Sequence, residues 1–137
     1  MNIDSIRNGY VIDHITAGRG MEIYNLLKLN RLDCQVAIIN NAVSGKLGRK
    51  DIIKVDGEFE LDMAALGYVD PGVTIDVIRN GVLVEKKKAA LPEKLTNVLF
   101  CRNPRCITTV EQEIPHIFRL ANAEKRIYRC IYCDAEA

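Results

Sequence analysis

Apolar residues along this chain fall into short β-rich runs interrupted by two stretches of helical spacing, the pattern of an α+β protein. Tyr10–Ile15, rich in aromatic and β-branched residues, predicts a strand that gives way to a loop at Thr16–Gly20. Within Met21–Leu29, Ile23, Leu26 and Leu27 recur at helical spacing, so a first helix is expected to lay that stripe on a sheet. Cys34–Asn40 and Asp51–Val55 read as strands joined by a loop at Asn41–Lys50. Asp62–Leu66 reads as a second, short helix with an acidic start and Gly67 as its stop. Thr74–Arg79 and Val82–Lys86 flank Asn80-Gly81, a pair suited to the two positive-φ positions of a type I′ turn. The order β-α-β-β-α-β with one added strand predicts a ferredoxin-like antiparallel sheet carrying two helices, with strand order left open by spacing alone.

The cysteines change the picture beyond Pro92. Four of the five, Cys101, Cys106, Cys130 and Cys133, form a Cys-x4-Cys pair and a Cys-x2-Cys pair separated by 23 residues. Each short turn presents two thiolates on one side of a knuckle, and two facing knuckles complete a tetrahedral four-sulfur zinc site. Four thiolates leave no open position for water, so one structural Zn2+ is expected rather than a catalytic one. The rival reading, a pair of disulfides, is disfavoured because the N-terminal residues show no secretion-signal pattern and cytosolic thiols are kept reduced. About 43 residues from Leu95 onward are few for a self-sufficient hydrophobic core, which a metal would supplement. Arg102, Arg105, Lys125, Arg126 and Arg129 beside the knuckles would offset the formal charge of a four-thiolate site. Cys34 reads as a small buried hydrophobe, and His116 as unneeded in a full coordination sphere. The expected organisation is residues 1–92 as one domain and 93–137 as a small zinc-bound β domain of rubredoxin or zinc-ribbon type.

Composition narrows the function classes. The chain has 137 residues, 48% of them apolar and 27% charged, which leaves room for one domain or two small ones and excludes a large enzyme. Nineteen basic against eighteen acidic residues give a net charge of +1, so no global field recruits nucleic acid or anionic membrane. No apolar run approaches the ~20 residues of a bilayer span, and a cytoplasmic location is expected. No Ser-His-Asp set, Cys-His pair or carboxylate cluster marks an active site.

Basic residues gather instead at Arg49-Lys50, Lys54 and Lys86-Lys87-Lys88, in predicted strands of one sheet. Alternation sends Lys50 and Lys54 to the same side of their strand. Adjacent lysines repel unless an anion lies between them, and phosphate is the natural occupant; the plain alternative is a solvated charged face. Ser44–Lys50 has the wrong glycine spacing for a Walker-type phosphate loop. Asp13-His14, at a strand end, could supply an acceptor for a ribose hydroxyl and a further phosphate donor.

Taken in order, Gly9–Ile15 (GYVIDHI), Gly48–Lys54 (GRKDIIK), Leu91–Cys101 (LPEKLTNVLFC) and the cysteine spacing resemble the regulatory chains of aspartate carbamoyltransferase, over about Ile3 to Cys133. The resemblance implies a non-catalytic allosteric subunit of pyrimidine biosynthesis. Its N-terminal domain would bind CTP- and ATP-type nucleotides and pair with a second regulatory chain, and its zinc domain would dock on the catalytic chain. Carried over by position, Asp13 and Lys54 would hold the ribose, and His14 and Lys86 the phosphates. Lys50 would lie at the site's edge, and Ile6, Val11, Ile78 and Leu83 would make apolar and backbone contacts around the base. Two positions depart from the family: Asp76 stands where an asparagine is usual, and Gly81 where a bulkier turn residue sits. Four residues follow Cys133, fewer than in relatives that add a final strand. Competing readings are a zinc-ribbon nucleic-acid binder, which near-neutral charge disfavours, a zinc enzyme, for which four thiolates are the wrong geometry, and an assembly subunit whose effector site has decayed.

Overall fold

The computed structural model describes residues 6–45 and 48–137. Lys46 and Leu47, within the loop compared above with a phosphate loop, and Ile3, where the family resemblance starts, lie outside the described residues. The chain divides into two compact units, Met1–Ala90 and Leu91–Ala137.

In the first unit, β1 (Gly9–Thr16), α1 (Gly20–Leu26), β2 (Gln35–Ser44), β3 (Gly48–Asp56), α2 (Met63–Val69), β4 (Thr74–Arg79) and β5 (Val82–Lys88) follow one another. The strands form one antiparallel sheet in the order β2-β3-β1-β4-β5, the ferredoxin-like arrangement with β5 added beside β4. Alternation sorts the side chains: Ile12, Ile15, Ile53, Val55 and Ile75 enter the main core with Ile23 of α1 and Leu66 of α2. The other face carries a separate small cluster of Ile6, Val11 and Ile78, against which Ile52 packs.

Several boundaries differ from the sequence reading. The expected loop 41–50 is mostly strand, because β2 continues to Ser44 and β3 begins at Gly48. The first helix ends at Leu26 rather than Leu29: Lys28 adopts a left-handed conformation (φ 55°), and Leu29–Arg31 forms a single 3-10 turn. Gly67 does not stop α2 but lies inside it, since a Cβ there would come 2.0 Å from the carbonyl oxygen of Ala90. Asp62 does cap that helix, accepting the Ala65 N–H at 3.0 Å. Asn80 and Gly81 both have positive φ (53° and 76°), as a type I′ turn requires.

Asp51, buried on β3, ties the end of the sheet together. One carboxylate oxygen accepts the backbone N–H groups of Gly18 (3.0 Å) and Gly20 (2.8 Å), and the other accepts that of Asn41 (2.9 Å). Because Arg19 offers α1 no side-chain cap, Asp51 serves the helix start from across the sheet. Asp51→Asn, whose amide N–H groups face other donors, is expected to cost about 1–2 kcal/mol of stability, read from chemical denaturation.

In the second unit, β6 (Lys94–Thr96), β7 (Ile117–Asn122) and β8 (Ile127–Cys130) form a three-stranded sheet in sequence order, and α3 is the four-residue Ile107–Val110. Leu95, Phe118 and Tyr128 make its apolar centre, with the Tyr128 hydroxyl donating to Pro92 O at 2.6 Å. The residues after Cys133 turn back along β8: Glu136 bridges Arg129, and Ala137 N–H donates to Tyr128 O at 3.0 Å. This is a zinc-ribbon-like β domain carrying a four-cysteine metal site. Among the described residues no helix is long and apolar enough to cross a membrane.

Candidate functional site

The sheet face away from the helices collects every polar candidate from the first domain. Lys54 on β3, Val11 on β1, Asp76 on β4 and Lys86 on β5 stand opposite one another in a single row across four strands. One row over, Asp13 faces Thr74, which pairs in turn with Lys88. On the other side of Asp76, Gly9, Ile78 and Leu83 continue the apolar cluster of Ile6, Val11 and Ile78. Residues from four strands and from the segment before β1 thus converge on one surface.

A β-bulge brings His14 to that surface. Between the pairs Ile12–Ile53 and Ile15–Asp51, β1 holds one residue more than β3, and His14 takes φ 58°. Ile12 and Ile15 both remain in the core, so the two residues between them, Asp13 and His14, turn away from it together. A positive φ is uncommon for a residue with a side chain, and such strain persists where surrounding structure holds it. Two contacts hold it here: His14 N–H donates to the Asp13 carboxylate at 2.6 Å, and His14 Nδ1 lies 2.8 Å from the Thr74 hydroxyl. Lys50 Nζ meets the same Asp13 carboxylate at 3.0 Å. Burial pushes the Asp13 carboxyl up, but the bonds from Lys50 and His14 N–H and the nearby positive charges outweigh it and hold the group below the ordinary carboxylate range. A depressed carboxyl adds stability above its unfolded-state pKa, and that contribution disappears as pH falls through the lower folded value.

Of the candidates, Ile6, Val11, Ile78 and Lys54 are buried, Asp13, His14 and Lys50 are half-buried, and Leu83 and Lys86 are exposed. Open cavities of about 510 and 520 Å³ lie at the two ends of β1 and β3. Thr16, Ala17, Gly48 and Arg49 line the first, next to the Thr16–Lys50 pair, and Arg7, Asn8, Asp56, Gly57 and Glu58 line the second.

In the second domain the four cysteines converge. Their sulfurs all lie within 4.8 Å of one another, with Cys101 and Cys133 3.6 Å apart and Cys106 and Cys130 3.7 Å apart. A tetrahedral dication with sulfur bonds of about 2.3 Å sets its ligands about 3.8 Å apart, so the donor set fits a metal ion. All four are free thiols, which removes the disulfide reading. The knuckles are shaped by the Cys106 backbone N–H donating to Asn103 O at 3.0 Å and by the backbone N–H of Asp134 (φ 65°) donating to Cys130 O at 2.9 Å. Burial pushes the Cys101 thiol up to about 12 and raises Cys130, whereas the Ala135 N–H and the Asn103 side chain pull Cys133 down to about 6. The Thr108 hydroxyl, 3.1 Å from its sulfur, lowers Cys106. Ligation must therefore displace protons, Cys101's above all, and apparent metal affinity is expected to rise from about pH 6 to about pH 8, as competition with a chromophoric chelator would measure.

Three residues that matter here escaped the sequence reading. Thr74 orients His14, and counting back by two from Asp76 on the same strand would have found it. Thr108 follows the second cysteine by two and turns its hydroxyl to that sulfur, a position without a distinctive spacing. His116 is no ligand, yet its Nδ1 accepts the Cys101 N–H at 3.0 Å while its ring meets Phe100 edge-on, so it fixes the first knuckle.

Residues 1–90 match the family model of the aspartate carbamoyltransferase regulatory chain, allosteric domain, and residues 93–137 that of the regulatory chain's metal binding domain. Aspartate carbamoyltransferase regulatory chains are similar along nearly their whole length. That of Clostridium botulinum strain Hall is 52% identical over 134 residues, which span 98% of this chain and 92% of the relative. That of Clostridium acetobutylicum is 47% identical with the same coverage, and that of Bifidobacterium longum is 44% identical over all of this chain and 99% of its own. With both domains matched in order and the metal-ligating sulfurs assembled, the chain belongs to the family of aspartate carbamoyltransferase regulatory chains and is a non-catalytic regulatory subunit.

Proposed function

We propose that residues 1–92 bind a nucleotide effector on the open face of the sheet. Residues 93–137 then hold one structural Zn2+ and dock on the catalytic chain of aspartate carbamoyltransferase. The observation that carries this reading is the convergence of Lys50, Lys54, Lys86, Asp13 and His14 beside the apolar cluster of Ile6, Val11 and Ile78. An apolar floor beside three lysines suits a base at one end and phosphates at the other. Asp13 and Lys54 hold the ribose, His14 and Lys86 the phosphates, Lys50 the edge of the site through Asp13, and Leu83 extends the floor under the base. Backbone contacts around the base let one site take both CTP and ATP.

Zinc is favoured for the metal because four thiolates in tetrahedral array are its usual structural set. Docking is supported by exposed apolar residues placed beside the ligands: Phe100 before Cys101, Ile107 after Cys106, and Ile131 and Tyr132 between Cys130 and Cys133. Such a rim on so small a domain is the chemistry of a protein contact. Pairing with a second regulatory chain is supported by the edge strands β2 and β5, where Val43, Val82 and Val84 are exposed. Nucleic acid and membrane are not partners in this reading, and the complex works in the cytoplasm.

Regulation follows by linkage: an effector that binds the low- and high-affinity states of the catalytic assembly unequally shifts their balance, typically by about 1–3 kcal/mol of coupling. In the complex rebuilt with catalytic chains, saturating CTP or ATP is expected to move the aspartate concentration at half-maximal velocity. Aspartate curves that superimpose with and without either nucleotide would contradict the assignment.

A further inference from the structure

One group on this face is not accounted for by nucleotide binding as described. Asp76 is only 9% exposed, and among the described residues its Oδ1 is a buried side-chain oxygen with no hydrogen-bond donor. Lys86 Nζ stands 3.9 Å from that oxygen, too far for a hydrogen bond but close enough for charge attraction. By register the carboxylate sits between Val11 and Lys86, in the row that starts at Lys54. A second carboxylate, Asp13, already engages Lys50 at 3.0 Å. Lys50 and Lys86 thus each have an acidic neighbour on this face, and the neighbour of Lys86 is a buried carboxylate that solvent screens poorly.

We propose that Asp76 is a specificity-determining residue that selects by charge, holding back phosphate groups from the Lys54–Lys86 row so that the site gains little from each phosphate beyond the first. This rests on the nucleotide reading of the same face. The physical basis is that repulsion from a fixed buried carboxylate grows with each negative charge the ligand brings, whereas contacts to base and ribose are common to the whole nucleotide series. A nucleoside triphosphate bears the full penalty and a monophosphate little of it.

The test is equilibrium binding of AMP, ADP and ATP, and of CMP, CDP and CTP, to the full metal-loaded chain and to its Asp76→Asn and Asp76→Ala variants. Thermal melting of all three would establish that they are folded. In the native chain, triphosphate and monophosphate affinities are expected to lie within about fivefold of each other. Both substitutions are expected to tighten triphosphate binding tenfold or more while changing monophosphate binding less than threefold. An unchanged triphosphate-to-monophosphate ratio in folded variants that still bind nucleotide would overturn charge selection and leave the nucleotide site standing. Tightening by Asp76→Asn alone would also overturn it, because the gain would then come from the new amide and not from the lost charge. Absence of binding to every nucleotide in all three proteins would overturn the nucleotide reading itself, and this proposal with it.

Discussion

Stripping the metal, or replacing Cys106 with serine, is expected to unfold residues 93–137 and release the chain from its catalytic partner while the first domain goes on binding nucleotide. The second domain has little else to hold it: β6 has three residues, β8 four and α3 four, around a centre of Leu95, Phe118 and Tyr128. Domains this small seldom bury enough apolar surface to fold alone. Structural zinc contributes an apparent ~10–16 kcal/mol in peptides, well above what such a core supplies. Cys106 is the apt position, because its sulfur is buried, 3.7 Å from Cys130 and 3.1 Å from the Thr108 hydroxyl. The substitution removes one of the four sulfur ligands. Proteolysis should cut the variant after about residue 92 and leave the first unit intact, since the sheet, its core and Asp51 all belong to residues before Ala90. A zinc-free chain that stays assembled with the catalytic subunits would show that the metal is not the structural link.

Lys54→Ala is expected to weaken triphosphate binding by roughly 1.5–3 kcal/mol, the scale of a hydrogen bond to a charged group. That corresponds to about a tenfold to 150-fold rise in Kd. Lys54 is 7% exposed and heads the row Lys54–Val11–Asp76–Lys86, so its side chain is largely removed from solvent. A cation so placed is less hydrated than one on an open surface, and its bond to an anion is worth more. Lys86 offers the contrast: it is well exposed on the edge strand, and Lys86→Ala should cost less. Isothermal titration of both variants, with melting curves to check the fold, decides the matter. Unchanged binding in folded Lys54→Ala would remove Lys54 from the site.

Much of this architecture was legible in the residues. Thr74–Val77 alternates polar and apolar residues, with Ile75 in the main core, and Asn80-Gly81 announces its turn through the two positive φ angles it must adopt. The metal site was readable from spacing alone, because four sulfurs on two short turns have few other geometric uses. The illegible parts share a cause: they depend on residues far apart in sequence. Nothing local says that β1 carries a bulge at His14, since the positive φ falls on a histidine and not on a glycine. Gly67 carries the signature of a helix stop, yet its reason is the Ala90 carbonyl, 23 residues on. Asp51 looks like one more charged strand residue until the fold brings three backbone N–H groups to it. Asp76 stood out only by comparison with the family, and its burial, with Oδ1 unpartnered, emerges only once Lys86 is placed beside it.

The central claim is that the open face of the first domain is a nucleotide effector site. Calorimetric titration of CTP, then ATP, into the zinc-loaded chain at moderate salt, with a random-sequence DNA duplex as control, tests it most directly. Saturable binding of both nucleotides, with no heat from DNA, is the predicted result. Silence towards both nucleotides, or steeply salt-dependent binding of the duplex, would contradict it.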